Sequence, residues 1–240
     1  MSQIEDIVIA NRVLAEHGVI DGYGHVSARS ETNPNRYFLA RSLAPELVTE
    51  ADIMEFDLDS EPIDPQGRQM YSERYIHGQI YKSRPDVRAA VHNHSPSVIP
   101  FGIVPVPMRP VYHMSAFVGA GVPVWDIRDA EKGSDMLVRS NYLGSVLAKC
   151  LGGCSAALMR GHGAVVVAGT LPVVVGRSIY LEMNARLQMQ ALSLAKPEEI
   201  VYLDDGEVAK IAQSKTYDFM RSWGLWKARA LRQLAEEKKA

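Results

Sequence analysis

Cysteine is scarce in this 240-residue chain, and long apolar runs are missing. The two cysteines, Cys150 and Cys154, are too few to build a disulfide framework, so we interpret them as small buried side chains. No apolar stretch approaches the ~18 residues that a membrane-spanning helix needs. The first residues also lack the basic and then apolar pattern of a secretory signal. We therefore expect a cytoplasmic protein with no membrane partner.

An excess of positive charge is missing as well. The 26 lysines and arginines are outnumbered by 28 aspartates and glutamates, which gives a net charge of −2, and the basic residues form no block. Because nucleic-acid binding needs a concentrated positive surface, we expect no nucleic-acid partner.

Repeats and low-complexity segments are absent, and the apolar content of 47% is enough for one substantial core. We predict a single domain over residues 1–240, whose last part, from about 206 to 240, is a helical tail. Apolar periodicity predicts further helices over residues 3–17, 134–150 and 171–194. Gly18 is expected to follow the first helix, and Thr170 to cap the last one.

The most informative stretch is Val-His-Asn-His-Ser-Pro, which places His92 and His94 two residues apart. The apolar residues before His92 predict a buried strand, and in an extended segment residues i and i+2 point to the same side. Two buried imidazoles close together repel each other if either becomes charged, and a divalent cation removes that repulsion. The pair therefore predicts a metal site, with hydrogen-bonded core histidines as the alternative.

Two further residues could complete such a site. His162 lies between two apolar runs in Arg-Gly-His-Gly, which predicts a strand, a tight turn and a second strand, although a histidine can also occupy such a turn without binding anything. Glu73 follows Ser72, which we predict as the N-cap of a helix that runs to about residue 84. The helix dipole alone would also explain a glutamate in a first turn. We interpret His77, four residues further on, as structural.

Taken together, these motifs resemble the class II aldolase/adducin family. The matching segments are Ser72-Glu73, His92-Asn-His94-Ser-Pro and Arg-Gly-His162-Gly, in this order. The resemblance implies an α/β fold of three layers, α/β/α, in which helices flank a central, mostly antiparallel sheet. It also implies that the three histidines bind a divalent metal, usually zinc, and that Glu73 transfers a proton. Adducin-like members lack the metal ligands, which argues against a purely structural relative.

Departures from the sugar-phosphate aldolases of this family concern the positions that hold the phosphate. The family pattern Gly-Asn-x-Ser resembles Gly-His-Val-Ser here, with a histidine in place of asparagine. A family turn of small residues falls on Arg41 and Ser42, and an arginine suits a planar carboxylate at least as well as a phosphate. A tyrosine stands where the aldolases often have a hydroxyl residue before the Ser-Glu pair. We predict as substrate-binding residues His25, Ser27, Arg41, Ser42 and Ser72, with a structural cation as the alternative for Arg41.

Two more regions bear on a neighbouring subunit. The region near residue 112 resembles the part of the family's aldolases that supplies a tyrosine as proton donor across a subunit interface. The resemblance implies that Tyr112 or His113 could take this catalytic role. The alternative for both is packing beside the sheet. The segment Tyr-His-Met-Ser-Ala-Phe-Val-Gly is more similar to the decarboxylase branch, which acts on hydroxylated aromatic dicarboxylates. In the tail, Trp223 and Trp226 either pack in the core or cover a neighbouring site. The resemblance implies a homotetramer with active sites at subunit interfaces.

A three-histidine site with an open position favours carbon–carbon bond cleavage, because a divalent metal can bind substrate oxygens and delocalise the electrons that remain. We predict a metal-dependent lyase with one ion per subunit, zinc first and manganese, iron or cobalt as alternatives. The altered phosphate positions favour decarboxylation of a hydroxylated carboxylic acid, aromatic or not, through a metal-stabilised enolate or phenolate. The alternatives are aldol cleavage of a sugar phosphate, oxygen chemistry at bound iron, and a non-catalytic interaction module.

Overall fold

A computed structural model describes residues 2–214, 218–237 and 239 of the chain. Within these residues one sheet contains the strands β1 (His25–Arg29), β2 (Arg36–Ala40), β3 (Ile53–Asp57), β4 (Ala89–Asn93), β5 (Val124–Trp125), β6 (Ala156–Met159) and β7 (Gly163–Ala168). The α-helices are α1 (Gln3–Glu16), α2 (Tyr75–Ser83), α3 (Asn141–Leu151), α4 (Leu171–Leu194), α5 (Asp205–Ala212) and α6 (Met220–Glu237). None of these helices has both the length and the apolar character that crossing a membrane requires.

The strand order in the sheet is β3-β2-β1-β4-β7-β6-β5. Neighbouring strands are antiparallel except β5 and β6, which are parallel. Helices α1, α4 and α6 pack against one another on one side of the sheet, and α2 packs against α3 on the other. The predicted three-layer α/β/α fold with a mostly antiparallel sheet is confirmed.

Strand β1 shows how the two faces of the sheet differ. Successive side chains of a strand point to opposite faces. His25, Ser27 and Arg29 point toward α2 and hydrogen-bond to groups of that helix. Val26 and Ala28, which are buried, point the other way, toward the layer that contains α1. In β1 the face toward α2 therefore carries polar groups, and the face toward α1 carries apolar groups.

Helices α1 and α4 begin and end close to the predicted residues. Helix α1 starts after Ser2, whose hydroxyl accepts a hydrogen bond from the backbone N–H of Glu5, and Gly18 follows its end with a φ of 64°. Helix α4 spans the predicted range, and the Thr170 side chain accepts a hydrogen bond from the backbone N–H of Val173. Both helices thus follow from apolar periodicity and from local capping chemistry.

The predicted helix over residues 72–84 is wrong at its start, because α2 begins at Tyr75 and its N-cap position is not Ser72. An antiparallel bridge joins Met70 to Arg41, which keeps the chain extended just before this point. Glu73 consequently lies in the turn that precedes the helix, and not in its first turn.

The predicted helix over residues 134–150 also begins late, at Asn141. Met136 has a φ of 74°, which a right-handed helix does not allow. Ser140 then caps α3, since its side chain accepts a hydrogen bond from the backbone N–H of Leu143. The residues before the cap form a loop that lies over the site described below.

The C-terminal tail forms α5 and α6, although residues 215–217, 238 and 240 of the predicted tail lie outside the described residues. Trp223 and Trp226 are only 4% and 6% exposed. The Trp226 ring contacts His17 and Tyr180 of its own chain, with ring centroids 5.3 and 6.5 Å apart. This geometry supports packing within the chain for the two tryptophans.

Helices α2 and α3 approach each other closely at Gly144, which gives a first testable prediction. A Cβ atom there would lie 2.5 Å from the backbone oxygen of Tyr75. We expect Gly144→Ala to lower the free energy of unfolding by ~1–3 kcal/mol, measured by urea denaturation, because the two helices would have to separate.

The matched control is Gly224→Ala in α6, where an added Cβ meets no atom within 4 Å. This substitution should raise the free energy of unfolding by ~0.5–1 kcal/mol, because alanine loses less backbone entropy than glycine in a helix. A Gly144→Ala protein as stable as the Gly224→Ala protein would contradict the close approach.

Candidate metal centre

Four side chains converge at one end of the central strands, and their ligand atoms all lie within 4.8 Å of one another. His92 lies in β4, and His94 follows that strand. His162 lies in the turn between β6 and β7, and Glu73 lies in the turn before α2. The structure therefore brings together the three histidines and the glutamate that the sequence singles out.

Sheet pairing explains why His162 reaches the other histidines. Strands β4 and β7 are antiparallel neighbours, so the start of β7 lies beside the end of β4. The approach is so close that a Cβ atom on Gly163 would lie 1.9 Å from the backbone oxygen of Asn93. Gly161 has a φ of 62°, which closes the turn. As a result, the Nε2 atoms of His162 and His94 are 3.1 Å apart.

The Nδ1 atoms of all three histidines face oxygen acceptors of the protein. The contacts are His92 with the backbone oxygen of Ala164 at 3.2 Å, His94 with the carboxylate of Asp21 at 3.1 Å, and His162 with the backbone oxygen of Met136 at 3.0 Å. Since an oxygen acceptor needs a donor, Nδ1 carries the proton of each neutral ring, and Nε2 keeps a free lone pair.

The Nε2 side of this cluster fits a cation. His92 Nε2 is fully buried and has no hydrogen-bond partner in the described part of the chain. Glu73 Oε2 lies 3.6 Å from the Nε2 atoms of both His92 and His162, which is too far for a hydrogen bond. A buried acceptor without a donor costs ~1–3 kcal/mol. A divalent ion bound by the three Nε2 atoms removes that cost, and three imidazoles with a carboxylate are a donor set that suits zinc and other transition metals.

Burial and neighbouring groups set the protonation states of the cluster. Burial raises the pKa of Glu73, but the contacts with His92 and His162 and the backbone N–H of Val138 outweigh burial and hold this pKa at about 2. Burial lowers the pKa of His162 to about 4 and also lowers the pKa of His94. At neutral pH Glu73 is thus ionised while these two rings are neutral, and these are the forms that ligate a metal.

A cavity of about 690 Å³ opens beside the cluster, and both Glu73 and His94 are part of its wall. Three of the residues predicted to bind substrate also line it, namely His25, Ser42 and Ser72. The remaining lining residues are Gly22, Tyr23, Leu43, Ala44, Tyr71 and Leu137. The cavity therefore joins two of the candidate metal ligands to most of the predicted substrate positions.

The other two predicted substrate residues lie outside the cavity wall. Arg41 donates from Nε to the carboxylate of Asp52 at 2.6 Å, which supports the structural alternative for this cation. Ser27 is completely buried between β1 and α2, where it hydrogen-bonds to His77 and Tyr81. The prediction that Ser27 contacts substrate is therefore contradicted, because its hydroxyl has no exposed surface.

Tyr112 and His113 do not line the cavity of their own chain. The Tyr112 ring lies 6.3 Å from that of Tyr180, and burial raises its pKa. His113 lines a separate cavity together with Phe117 and Arg177. A catalytic role for either residue requires a neighbouring subunit and stays a prediction.

The sequence analysis missed the acceptors that orient the histidines. Asp21 lies in the turn before β1, where its carboxylate also accepts hydrogen bonds from the backbone N–H groups of Tyr23 and Gly24. Burial raises the pKa of Asp21, but these bonds and the contact with His94 lower it overall. An aspartate before a glycine is visible in the sequence as a turn, whereas its partner 73 positions away is not. The acceptor at Met136 is a backbone oxygen of a residue with positive φ, a conformation often found at functional sites.

Comparison with known proteins identifies relatives over most of the chain. Residues 5–189 match the family model described as class II aldolase and adducin N-terminal domain. The chain is 35% identical over 235 residues to the decarboxylase tropJ from Talaromyces stipitatus, which covers 89% of this chain and 88% of that protein. It is 31% identical over 204 residues to a 3,4-dihydroxyphthalate decarboxylase from Arthrobacter keyseri, with coverages of 79% and 78%.

Among solved structures, an L-fuculose 1-phosphate aldolase from Glaciozyma antarctica PI12 matches with a TM-score of 0.79, covering 98% of this chain and 90% of that chain. The two sequences are 21% identical, so this likeness shows the fold alone.

Substitution of Asp21 tests whether its contact with His94 orients this ring for metal binding. Asp21→Asn removes the negative charge that holds the proton on His94 Nδ1. We expect the affinity for zinc to fall ~10–100-fold, because groups that orient a metal-binding histidine contribute this much. Competition with a chelator of known zinc affinity measures the change.

Asp59→Asn is the matched control, since the Asp59 carboxylate is exposed and pairs with Lys82. Its zinc affinity should equal that of the wild type. Equal affinities for the Asp21→Asn and Asp59→Asn proteins would show that Asp21 does not orient His94.

Proposed function

This chain belongs to the class II aldolase and adducin family, and we propose that it is a metal-dependent carbon–carbon lyase that decarboxylates a hydroxylated aromatic carboxylic acid. The observation that carries the proposal is the cluster of three histidines and Glu73 beside an open cavity. Relatives named as decarboxylases, which align over most of the chain, favour loss of CO2 over other lyase reactions.

His92, His94 and His162 would hold one divalent ion, proposed to be zinc, through their Nε2 atoms. Such an ion supplies a Lewis acid that stabilises negative charge on a substrate oxygen. The fixed Nδ1 contacts keep the three rings in position, so little reorganisation is needed when the site fills.

Glu73 is placed to move a proton. Its Oε1 atom accepts a hydrogen bond from the backbone N–H of Val138 at 2.9 Å, which fixes the carboxylate and leaves Oε2 on the side of the histidines. In the proposed reaction the ionised Glu73 accepts the proton of the substrate hydroxyl and returns it to the ring carbon that bears the carboxylate. The bond from this carbon to the carboxylate then breaks, CO2 leaves, and the electron pair returns to the ring. Solvent supplies the proton that the hydroxyl oxygen regains.

A sugar-phosphate aldolase is the second candidate, favoured by the shared fold with the L-fuculose 1-phosphate aldolase. The lining of the cavity argues against it. No lysine or arginine is among the cavity residues within the described ranges. A phosphate monoester carries up to two negative charges, which usually require cationic or backbone N–H partners.

We also propose a homotetramer with active sites at subunit interfaces and a cytoplasmic location. The position of Tyr112 and His113 outside the cavity of their own chain is compatible with such an assembly, in which either residue would donate a proton in a neighbouring site. The family resemblance of this segment supports the assignment.

The proposal is tested by turnover of two substrate classes. Zinc-loaded protein is incubated with 3,4-dihydroxyphthalate and other hydroxylated aromatic carboxylates, and separately with sugar phosphates that include L-fuculose 1-phosphate. We expect CO2 from the aromatic acids and no aldehyde from the sugar phosphates. Aldehyde release would support the aldolase, and turnover that requires oxygen and bound iron would contradict the lyase. His92→Ala is the control that should lose both metal and turnover.

A substitution at Glu73 separates proton transfer from metal binding. Glu73→Gln should keep zinc bound by the three histidines and lower kcat ~10²–10⁴-fold, because the amide cannot carry the proton. Metal analysis and steady-state kinetics measure the two effects. The control is Glu55→Gln, which should leave both unchanged, because the partly exposed Glu55 of β3 pairs with Arg36 of β2. Unaltered kcat in the Glu73→Gln protein would remove Glu73 from the mechanism.

A further inference from the structure

A buried row of four hydrogen-bonded side chains runs from the cavity into the space between β1 and α2. His25 Nδ1 lies 2.7 Å from His77 Nε2, and His77 Nδ1 lies 2.6 Å from Ser27 Oγ. Ser27 Oγ in turn lies 2.7 Å from the hydroxyl of Tyr81. All four side chains are at most 2% exposed. The proposed reaction gives no role to the three inner residues of this row, His77, Ser27 and Tyr81.

Tyr81, at the inner end of this row, determines the direction of its hydrogen bonds. Among the described residues, the Tyr81 hydroxyl has two hydrogen-bonding neighbours, Ser27 Oγ and the backbone N–H of Ala90, and because the latter is a donor, Ser27 is the acceptor available to Tyr81. If Ser27 donated to Tyr81, the phenolic proton would be buried without an acceptor, which is unfavourable for a buried donor. Tyr81 therefore donates to Ser27.

The remaining links follow one by one. Ser27 has one proton, which it donates to His77 Nδ1, so His77 carries its ring proton on Nε2. Only one proton fits between His77 Nε2 and His25 Nδ1 at 2.7 Å, and His77 supplies it. His25 Nδ1 is therefore an acceptor, and the proton of the His25 ring is on Nε2.

Because Nδ1 is bonded to His77, Nε2 is the ring nitrogen that His25 can present to the cavity. His25 lines the cavity of the metal centre, and its Nε2 atom is not among the fully buried polar atoms that lack a partner. The ring is held between those of Tyr71 and His92, with centroid distances of 4.6 and 5.1 Å. His25 thus has the opposite tautomer to the three metal-binding histidines, which carry their protons on Nδ1.

We propose that His25 is a fixed hydrogen-bond donor for a carboxylate oxygen of the substrate, and that His77, Ser27 and Tyr81 are positioning residues that hold its tautomer. The identity of the substrate group rests on the proposed function, whereas the tautomer does not. A neutral donor adds no positive charge beside the cation site. Since this nitrogen cannot accept a hydrogen bond, an ammonium group in the same place, which can only donate, would be left without a partner.

The tautomer is tested without any substrate, by nitrogen NMR of zinc-loaded protein labelled with ¹⁵N-histidine. Protonated and unprotonated ring nitrogens give well-separated signals, and those of His25 are assigned by their loss in the His25→Gln protein. We expect a protonated Nε2 and an unprotonated Nδ1 for both His25 and His77. A His25 ring with its proton on Nδ1, or on both nitrogens, would overturn the inference.

Two substitutions of similar size test the role of His77. In His77→Gln the side-chain amide can still donate to His25, and its oxygen can accept from Ser27. In His77→Met neither contact is possible, so we expect His25 to populate both tautomers. Tyr37→Phe is the control, because this buried tyrosine packs against Tyr81 while its hydroxyl donates to Ser60 and Arg74, which are not among the four hydrogen-bonded side chains. A single His25 tautomer in all three proteins would remove His77 as a positioning residue.

Substrate contact is tested at His25 itself with 3,4-dihydroxyphthalate as the probe. His25→Met should raise KM about 10- to 100-fold, the effect of losing one hydrogen bond to a charged group, while His25→Gln, which keeps a donor, should raise it less. Calorimetric Kd values replace KM if the probe binds without turnover. Equal values for His25→Met and wild type would contradict the contact alone. A wild-type protein that neither binds nor converts the probe would contradict the proposed function and the substrate part of this inference, whereas the NMR result would stand.

Discussion

The candidate site depends on three hydrogen bonds that fix which nitrogen of His92, His94 and His162 carries the proton. The acceptors are of different kinds, namely a backbone oxygen in the pairing strand, a backbone oxygen in a loop and the carboxylate of Asp21. Each acceptor forces its ring to direct a lone pair toward the same point. The orientation of the rings is thus built before any ion binds, which is the usual role of groups behind the direct ligands.

Strand β1 supports these oriented histidines because its polar side chains share one face and its apolar side chains the other. The side chains of β1 that face α2 are His25, Ser27 and Arg29. All three hydrogen-bond to groups of α2 or of the residues beside it. On the opposite face of β1, Val26 and Ala28 are buried apolar side chains. A buried polar face is stable only when its groups are paired. His92 Nε2 is an exception within the described residues, and it is the atom that a metal ion would pair.

Two kinds of histidine therefore meet at one cavity. The rings of the candidate metal ligands offer lone pairs, whereas His25 offers a proton whose position is fixed by His77, Ser27 and Tyr81. Both arrangements use the same principle, since a partner on one ring nitrogen decides the state of the other. The result is a site that can bind a cation and an anionic oxygen side by side without burying an unpaired charge.

Local patterns in the sequence were enough for several elements and for the pairing of two candidate metal ligands. Apolar periodicity and capping residues determined α1 and α4, and the i, i+2 spacing marked His92 and His94 as a pair, because these signals act within a few residues. The family resemblance added His162 and Glu73 to that pair, and the pairing of β4 with β7 is what brings His162 beside it. Helices α2 and α3 start later than predicted, since the bridge at Met70 and the positive φ of Met136 come from contacts with distant segments.

Only the tertiary structure decided the partners of the polar side chains. It paired Arg41 with Asp52, buried Ser27 beneath the cavity, placed Asp21 behind His94 and linked His25 to Tyr81. These pairs join residues that are up to 73 positions apart, and a hydrogen bond depends on distance and direction in space, which residue spacing along the chain does not contain.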